Sequence, residues 1–292
     1  MRIAFIGAGA VGGWFGGRLA AAGHDVVFVA RGATLDALIT EGLRLNDEPP
    51  LKVTAVGSLA EVGDCDVVFL TVKATGGTNV GELLSGAPGH ALVAVTQNAV
   101  EVPTRVAEVV GRGRTLPGVV RGFFHHTGPG RVEFHGGPIS YTFGTFDGRA
   151  DATVDELAAA LNEAGIEATV HPDIWAEVWE KAMFVTCFGG LGAWTGRPLG
   201  HLRTVERTRL EALMREVHAV ARADGVPLAD HAVARTMAFA DRMPAEATSS
   251  MQRDLAAGDP GELDAQVGAV CRIGAAHGVD TPLHSGLLRA LG

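Results

Sequence analysis

Apolar residues along this chain fall into two rhythms, one before and one after about residue 171. The first run, Arg2-Ile3-Ala4-Phe5-Ile6, is short and almost continuously apolar, the pattern of a strand buried on both faces. Residues 11–22 then read as a helix closed by Gly23, and residues 25–30 as a second strand. Further strands are expected at 66–72, where Val67-Val68-Phe69-Leu70 is nearly all apolar, and at 91–96 and 139–143. A helix at 151–164 and a short strand at 167–170 complete this half. Apolar strands joined by helices predict a parallel sheet covered on both sides. Past His171-Pro172 the spacing turns helical, with no convincing strand. The expected architecture is α/β: a doubly wound domain over residues 1–170, then an all-helical domain over 171–292.

The turn after the first strand carries the most specific chemistry. Gly7-Ala8-Gly9-Ala10-Val11-Gly12 is a G-x-G-x-x-G run between a strand and a helix, the setting that gives the motif its meaning. Gly7 permits the tight turn, Gly9 lets the backbone approach a pyrophosphate, and Gly12 brings helix and strand together. The N–H groups at Ala10 and Val11, with the positive end of the helix dipole, would hold a diphosphate. A Rossmann-type dinucleotide site is therefore expected here. At the end of the second strand an NAD site usually offers an Asp or Glu to the ribose. This strand ends Phe28-Val29-Ala30-Arg31-Gly32, with no acid, and the planar fork of Arg31 suits the 2′-phosphate of NADP(H).

Composition removes other classes. The 292 residues can bury a large core and suffice for two domains. Net charge is −9 with no clustered basic tract, which argues against nucleic acid and anionic membranes as partners. Cys65, Cys187 and Cys271 are far apart, so a reducing cytoplasmic setting is expected. With the first strand expected from Arg2, no signal peptide is expected, and no apolar run approaches 18 residues. The His125-His126 pair lacks further closely spaced ligands, so no metal is assigned. No G-x-S-x-G nucleophile elbow occurs.

Four polar residues remain as candidates. Lys73 and Asn98 directly follow predicted strands, where open parallel sheets bind their ligands; each could touch cofactor or substrate, or be solvated. On a helix predicted over 173–188, Lys181 is the sole charge in the stripe Ile174, Val178, Lys181, Val185, Phe188. It either snorkels to water or points into a dry crevice, where desolvation would make it a usable general acid. Asp259-Pro260-Gly261-Glu262 has the form of a capping box, which would occupy Glu262 structurally; the alternative is a carboxylate that orients Lys181 and grips a substrate hydroxyl.

Together these residues resemble the ketopantoate reductases (2-dehydropantoate 2-reductases), within the 6-phosphogluconate-dehydrogenase-like group. The resemblance runs from the glycine turn through Val29-Ala30-Arg31-Gly32, Val72-Lys73-Ala74, Gln97-Asn98, Trp179-Glu180-Lys181 and Ser249-Ser250-Met251-Gln252 to Glu262-Leu263-Asp264. It implies NADPH-dependent reduction of a small 2-oxo acid, ketopantoate to pantoate, on the way to pantothenate and coenzyme A; apart from the resemblance, a monomer or homodimer is expected. It implies Lys181 as proton donor and Glu262 as substrate-binding carboxylate. Asn98 and Ser250 would be substrate contacts, Lys73 a cofactor or substrate contact, and Arg31 the partner of the 2′-phosphate. One departure stands out: Val185 and Gly189 occupy positions, one and two turns after the lysine, where the family commonly has asparagines. A related oxidoreductase acting on a different oxo acid, or a cofactor-binding protein without catalysis, are the competing readings.

Overall fold

A computed structural model of the chain describes residues 1–75 and 77–292, in two compact units. The first comprises Met1–Val72, Asn79–Gln97 and Val102–Ile174. Its strands among the described residues are β1 (Arg2–Ile6), β2 (Asp25–Val29), β3 (Arg44–Leu45), β4 (Thr54–Val56), β5 (Val67–Leu70), β6 (Leu92–Val95), β7 (Thr115–Leu116), β8 (Gly118–Arg121), β9 (Phe124–Gly128), β10 (Arg131–Phe134), β11 (Ser140–Phe143) and β12 (Glu167–Val170). Six of them form an all-parallel sheet in the order β4-β2-β1-β5-β6-β7. The order reverses between β1 and β5, the switch point at which doubly wound sheets bind ligands. Helices α1 (Ala10–Ala21), α2 (Gly32–Thr40), α3 (Val80–Leu83), α4 (Val102–Val110) and α5 (Ala152–Glu163) belong to the same unit. Phe5 and Phe69 stack across β1 and β5 with ring centroids 4.7 Å apart, and Phe28 leans on Phe5. Phe15 and Leu19 of α1 are fully buried on this layer.

Two small sheets complete the unit. Strand β11, expected as a further member of the parallel sheet, instead pairs with β12 in parallel and β8 in antiparallel. The hairpin β9–β10 takes β3 as a parallel edge. None of β3, β8, β9 or β10 was anticipated, nor were β4 and β7 at the two edges of the large sheet. Phe124 and Phe134 in that hairpin pack on Trp14 of α1, so the contacts that hold it come from a distant helix, not from its own periodicity.

The second unit comprises Lys73–Thr78, Asn98–Glu101 and Trp175–Gly292. Its described residues after Val170 hold no strand: α6 (Ile174–Thr195), α7 (Leu199–Leu202), α8 (Arg207–Ala223), α9 (Ala232–Arg242), α10 (Ser250–Ala256), a π-helical turn (Asp264–Gly268), α11 (Ala269–Ala276) and α12 (Pro282–Leu291). The chain is thus a Rossmann-type α/β domain followed by a helical domain. Helix α6 runs seven residues beyond its expected end at Phe188. The two glycines that follow Phe188 are buried inside the helix: a Cβ on Gly189 would stand 3.3 Å from the Met251 side chain, and one on Gly190 3.0 Å from Leu287. Packing against the bare backbone outweighs a low helix propensity of about 1 kcal/mol per glycine. Among the described residues no helix is long and apolar enough to cross a membrane.

Candidate active site

The glycine turn of the first unit is pinned from two sides. Gly7 adopts φ +101°, a conformation costly for any residue with a side chain, and its N–H donates to the Val29 carbonyl at 2.9 Å. The Thr71 hydroxyl donates to the carbonyls of Ile6 (2.8 Å) and Gly7 (2.6 Å). A Cβ on Gly12 would be driven into the Gly7 carbonyl and the Thr71 hydroxyl, so helix and strand meet at this distance only through glycine. Gly9 differs. It is the N-cap of α1 in an extended conformation, no side chain caps the helix, no acid lies in its first turn, and a Cβ there would have no neighbour within 4 Å. Open space beside an uncapped twelve-residue helix, whose first N–H groups belong to Ala10 and Val11, fits a diphosphate. Arg31 sits two residues past β2, exposed, at the N-cap of α2. Gln97, two residues past β6, has both amide atoms buried and without a hydrogen-bond partner.

In the second unit, segments distant in sequence gather around Glu262. This carboxylate is 8% exposed. Its Oε1 accepts the Ala74 N–H at 3.2 Å and its Oε2 accepts the Gln266 amide at 3.1 Å. Burial pushes the Glu262 carboxyl above its ordinary value; the Ala74 N–H, the Gln266 amide and the positive charges of Lys181 and Lys73 offset that only in part. Lys181 is therefore within electrostatic reach of Glu262, and it lies half-buried on α6 with Val178 and Phe188 buried on the same stripe. The capping-box reading of Glu262 is overturned. Gly261 takes φ +55°, outside the helical region, and the Asp259 N–H that a capping box would give to Glu262 donates to the Asp254 carbonyl instead, while the Glu262 oxygens accept from Ala74 and Gln266. The ordinary helix that the box would have opened is replaced by the π-helical turn, whose wider spacing carries Gln266.

Lys73 is exposed, and its Nζ lies 2.9 Å from the Asp254 carboxylate on α10. Ser249 caps α10 by accepting the Gln252 N–H at 3.0 Å, which leaves Ser250 exposed as the first helical residue. Asn98 keeps a buried side-chain oxygen with no partner, as does Gln266. Lys73, Asn98, Lys181, Ser250 and Glu262 thus all belong to one unit, while Gly7, Gly9, Ala10, Val11, Gly12 and Arg31 belong to the other. Asp254, Gln266 and the ion-paired Glu101 and Arg272 were not anticipated, and Gln97 entered only as part of the Gln97-Asn98 motif. Charged and amide side chains in helical stretches usually read as solvated, and nothing local marked Asp254, Gln266, Glu101 or Arg272 as partnered.

Family models match both halves: "Ketopantoate reductase PanE/ApbA" over residues 3–148 and "Ketopantoate reductase PanE/ApbA C terminal" over residues 173–292. The 2-dehydropantoate 2-reductase of Mesorhizobium japonicum is 31% identical, over 94% of this chain and 91% of its own length. The crystal structure of 2-dehydropantoate 2-reductase from Geobacter metallireducens superposes with a TM-score of 0.90 at 28% identity, covering 100% of this chain and 99% of that one. A ternary structure of D-mandelate dehydrogenase with NADH and anilino(oxo)acetate shares the fold, with a TM-score of 0.89 at 24% identity over 100% of this chain and 97% of that one.

Proposed function

The chain belongs to the ketopantoate reductase family of oxidoreductases, and on that premise we propose that it reduces a 2-oxo acid with NADPH, ketopantoate to pantoate, as a step toward pantothenate and coenzyme A. The observation that carries this reading is the buried Glu262 carboxylate, held by the Ala74 N–H and the Gln266 amide in the same unit as the half-buried Lys181 and the unpartnered oxygen of Asn98. The turn at Gly7, Gly9 and Gly12 and the N–H groups of Ala10 and Val11 would hold the diphosphate, and Arg31 the 2′-phosphate. The chemistry that NADPH supplies when bound is a hydride for the keto carbon.

The protein's own residues handle the charge that follows. Lys181 donates a hydrogen bond to the carbonyl oxygen and passes it a proton as negative charge develops there. A cation placed at that point contributes on the order of 3 kcal/mol to lowering the barrier. Each oxygen of Glu262 spends one lone pair on Ala74 or Gln266 and keeps another for a ligand hydroxyl. The unpartnered oxygen of Asn98 is a second acceptor for such a hydroxyl. Lys73 and the exposed Ser250 hydroxyl supply donors to an anionic group.

A second reading, a different oxo acid as substrate, is favoured by the apolar wall one and two turns past Lys181. Val185 stands there, and the Met251 side chain lies against the bare Gly189 backbone. A site without amide donors at these two positions discriminates less for a hydroxylated acid. NADPH-consumption assays on ketopantoate beside simpler branched 2-oxo acids decide between the two. Lys181→Ala should lower kcat by about a hundredfold or more while NADPH binding survives. Near-normal turnover of that variant would remove Lys181 from the mechanism, and tight NADPH binding with no oxidation on any 2-oxo acid would favour a protein without catalysis.

A further inference from the structure

One side chain outside the ligand-facing set grips two of the segments that form it. Arg272, on α11, makes a bidentate pair with Glu101: Nε donates to Oε1 at 3.0 Å and Nη2 to Oε2 at 2.8 Å. In the other direction Nη1 donates to Asp264 Oδ1 at 2.7 Å, and Nη2 also donates to the Asp264 carbonyl at 3.1 Å. Four of the five guanidinium N–H donors are committed, a geometry that a lysine ammonium has no means to copy.

The two ends of this clamp matter because of what they adjoin. Glu101 closes the four-residue segment that begins at Asn98, and its side chain is 18% exposed. Asp264 opens the π-helical turn that brings Gln266 to Glu262. We propose that Arg272, acting through Glu101, is a positioning residue that holds Asn98 at a fixed spacing from Glu262. This rests on the reading of Asn98 and Glu262 as ligand-binding groups. Exposed ion pairs ordinarily add little beyond stability, as expected for the Arg207–Asp241 pair at 2.7 and 3.0 Å on α8 and α9. The Arg272 clamp instead fixes the chain three residues from a ligand-facing amide.

A double-mutant cycle on the full-length protein tests this, with NADPH and the best 2-oxo acid as substrates. Arg272→Gln is expected to lower kcat/KM about tenfold or more, Glu101→Gln to match it, and the pair together to be no worse than either. Arg272→Lys should recover part of the loss. In an Asn98→Ala background, Arg272→Gln should cost less than twofold. Arg207→Gln, as a matched control, should shift the melting temperature comparably and leave kcat/KM unchanged. Arg272→Gln kinetics within twofold of wild type, or losses that multiply with Asn98→Ala, would overturn the proposal; if Arg272→Gln does not fold, Glu101→Gln and Arg272→Lys decide on the same criteria. Wild-type kinetics for Asn98→Ala alone would instead overturn the reading of the site, a separate result.

Discussion

Replacing Gly9 by aspartate sets the stability of α1 against the ligand that the turn is read to hold. Gly9 has φ −80° and ψ −156°, conformations any residue adopts, and its Cβ position is open for 4 Å around. Aspartate is among the best N-cap residues, and α1 has no cap and no acid in its first turn. A capping bond together with the helix dipole should therefore leave the fold as stable as wild type or more so, by a few tenths to about 1 kcal/mol. The same carboxylate would stand where a diphosphate approaches. Two unit charges about 4 Å apart at an effective dielectric of about 20 repel by about 4 kcal/mol. That corresponds to nearly three powers of ten in Kd. Fluorescence titration with NADPH measures the affinity, and thermal unfolding with and without NADPH measures the linkage. At a ligand concentration of about a hundred times Kd the wild type gains about 2.7 kcal/mol, and Gly9→Asp at that concentration should gain almost nothing. A variant that binds NADPH within a fewfold of wild type would refute a diphosphate at this helix end. A variant that unfolds early would refute the capping argument.

Other substitutions separate the remaining roles. Arg31→Ala should weaken NADPH about tenfold or more, the worth of a charged hydrogen bond at roughly 1.5 kcal/mol, and leave NADH unchanged; equal losses for both would remove Arg31 from cofactor choice. For Glu262, burial holds the folded-state value above the ordinary 4.5, so its contribution to stability is complete below that value and is lost as pH rises through the folded-state value. Glu262→Gln should thus unfold no earlier than wild type at neutral pH, with Gln266 free to turn its unpartnered oxygen toward the new amide, while kcat/KM falls. Unfolding curves at pH 4 and pH 8 check the sign: any advantage of the variant must grow with pH. Glu216 behaves oppositely. Burial alone would raise its value, but bonds from His284 Nδ1 (2.7 Å), the Leu283 N–H (2.8 Å) and the His284 N–H (3.0 Å) hold it below the ordinary one. Its contribution is present above the ordinary carboxylate range and lost on acidification, so Glu216→Gln should cost about 2–3 kcal/mol at pH 7 and progressively less as pH falls.

Legibility in this protein followed sequence distance. The strand–glycine–helix turn could be read directly, because Gly7, Gly9 and Gly12 act on neighbours a few residues away and each requirement is local. Arg31 was conspicuous by its place at a strand end, and Lys181 as the lone charge in an apolar stripe. The alternation of apolar runs and helices, and its replacement by helical spacing after residue 171, was enough for the fold class. What α6 does at Gly189-Gly190 was not legible, since only Met251 and Leu287, brought against it by folding, explain why the helix continues. Nor was the state of Glu262: a capping box is a local pattern, and the Ala74 N–H that claims its oxygen lies 188 residues away. The Lys73–Asp254 pair and the Arg272–Glu101 clamp join positions 181 and 171 residues apart. Periodicity and propensity encode which face of an element is buried and what its ends require, over a few turns of chain. Which charge meets which amide is set by how the helices stack, a sum of many weak apolar contacts that no single stretch of residues contains.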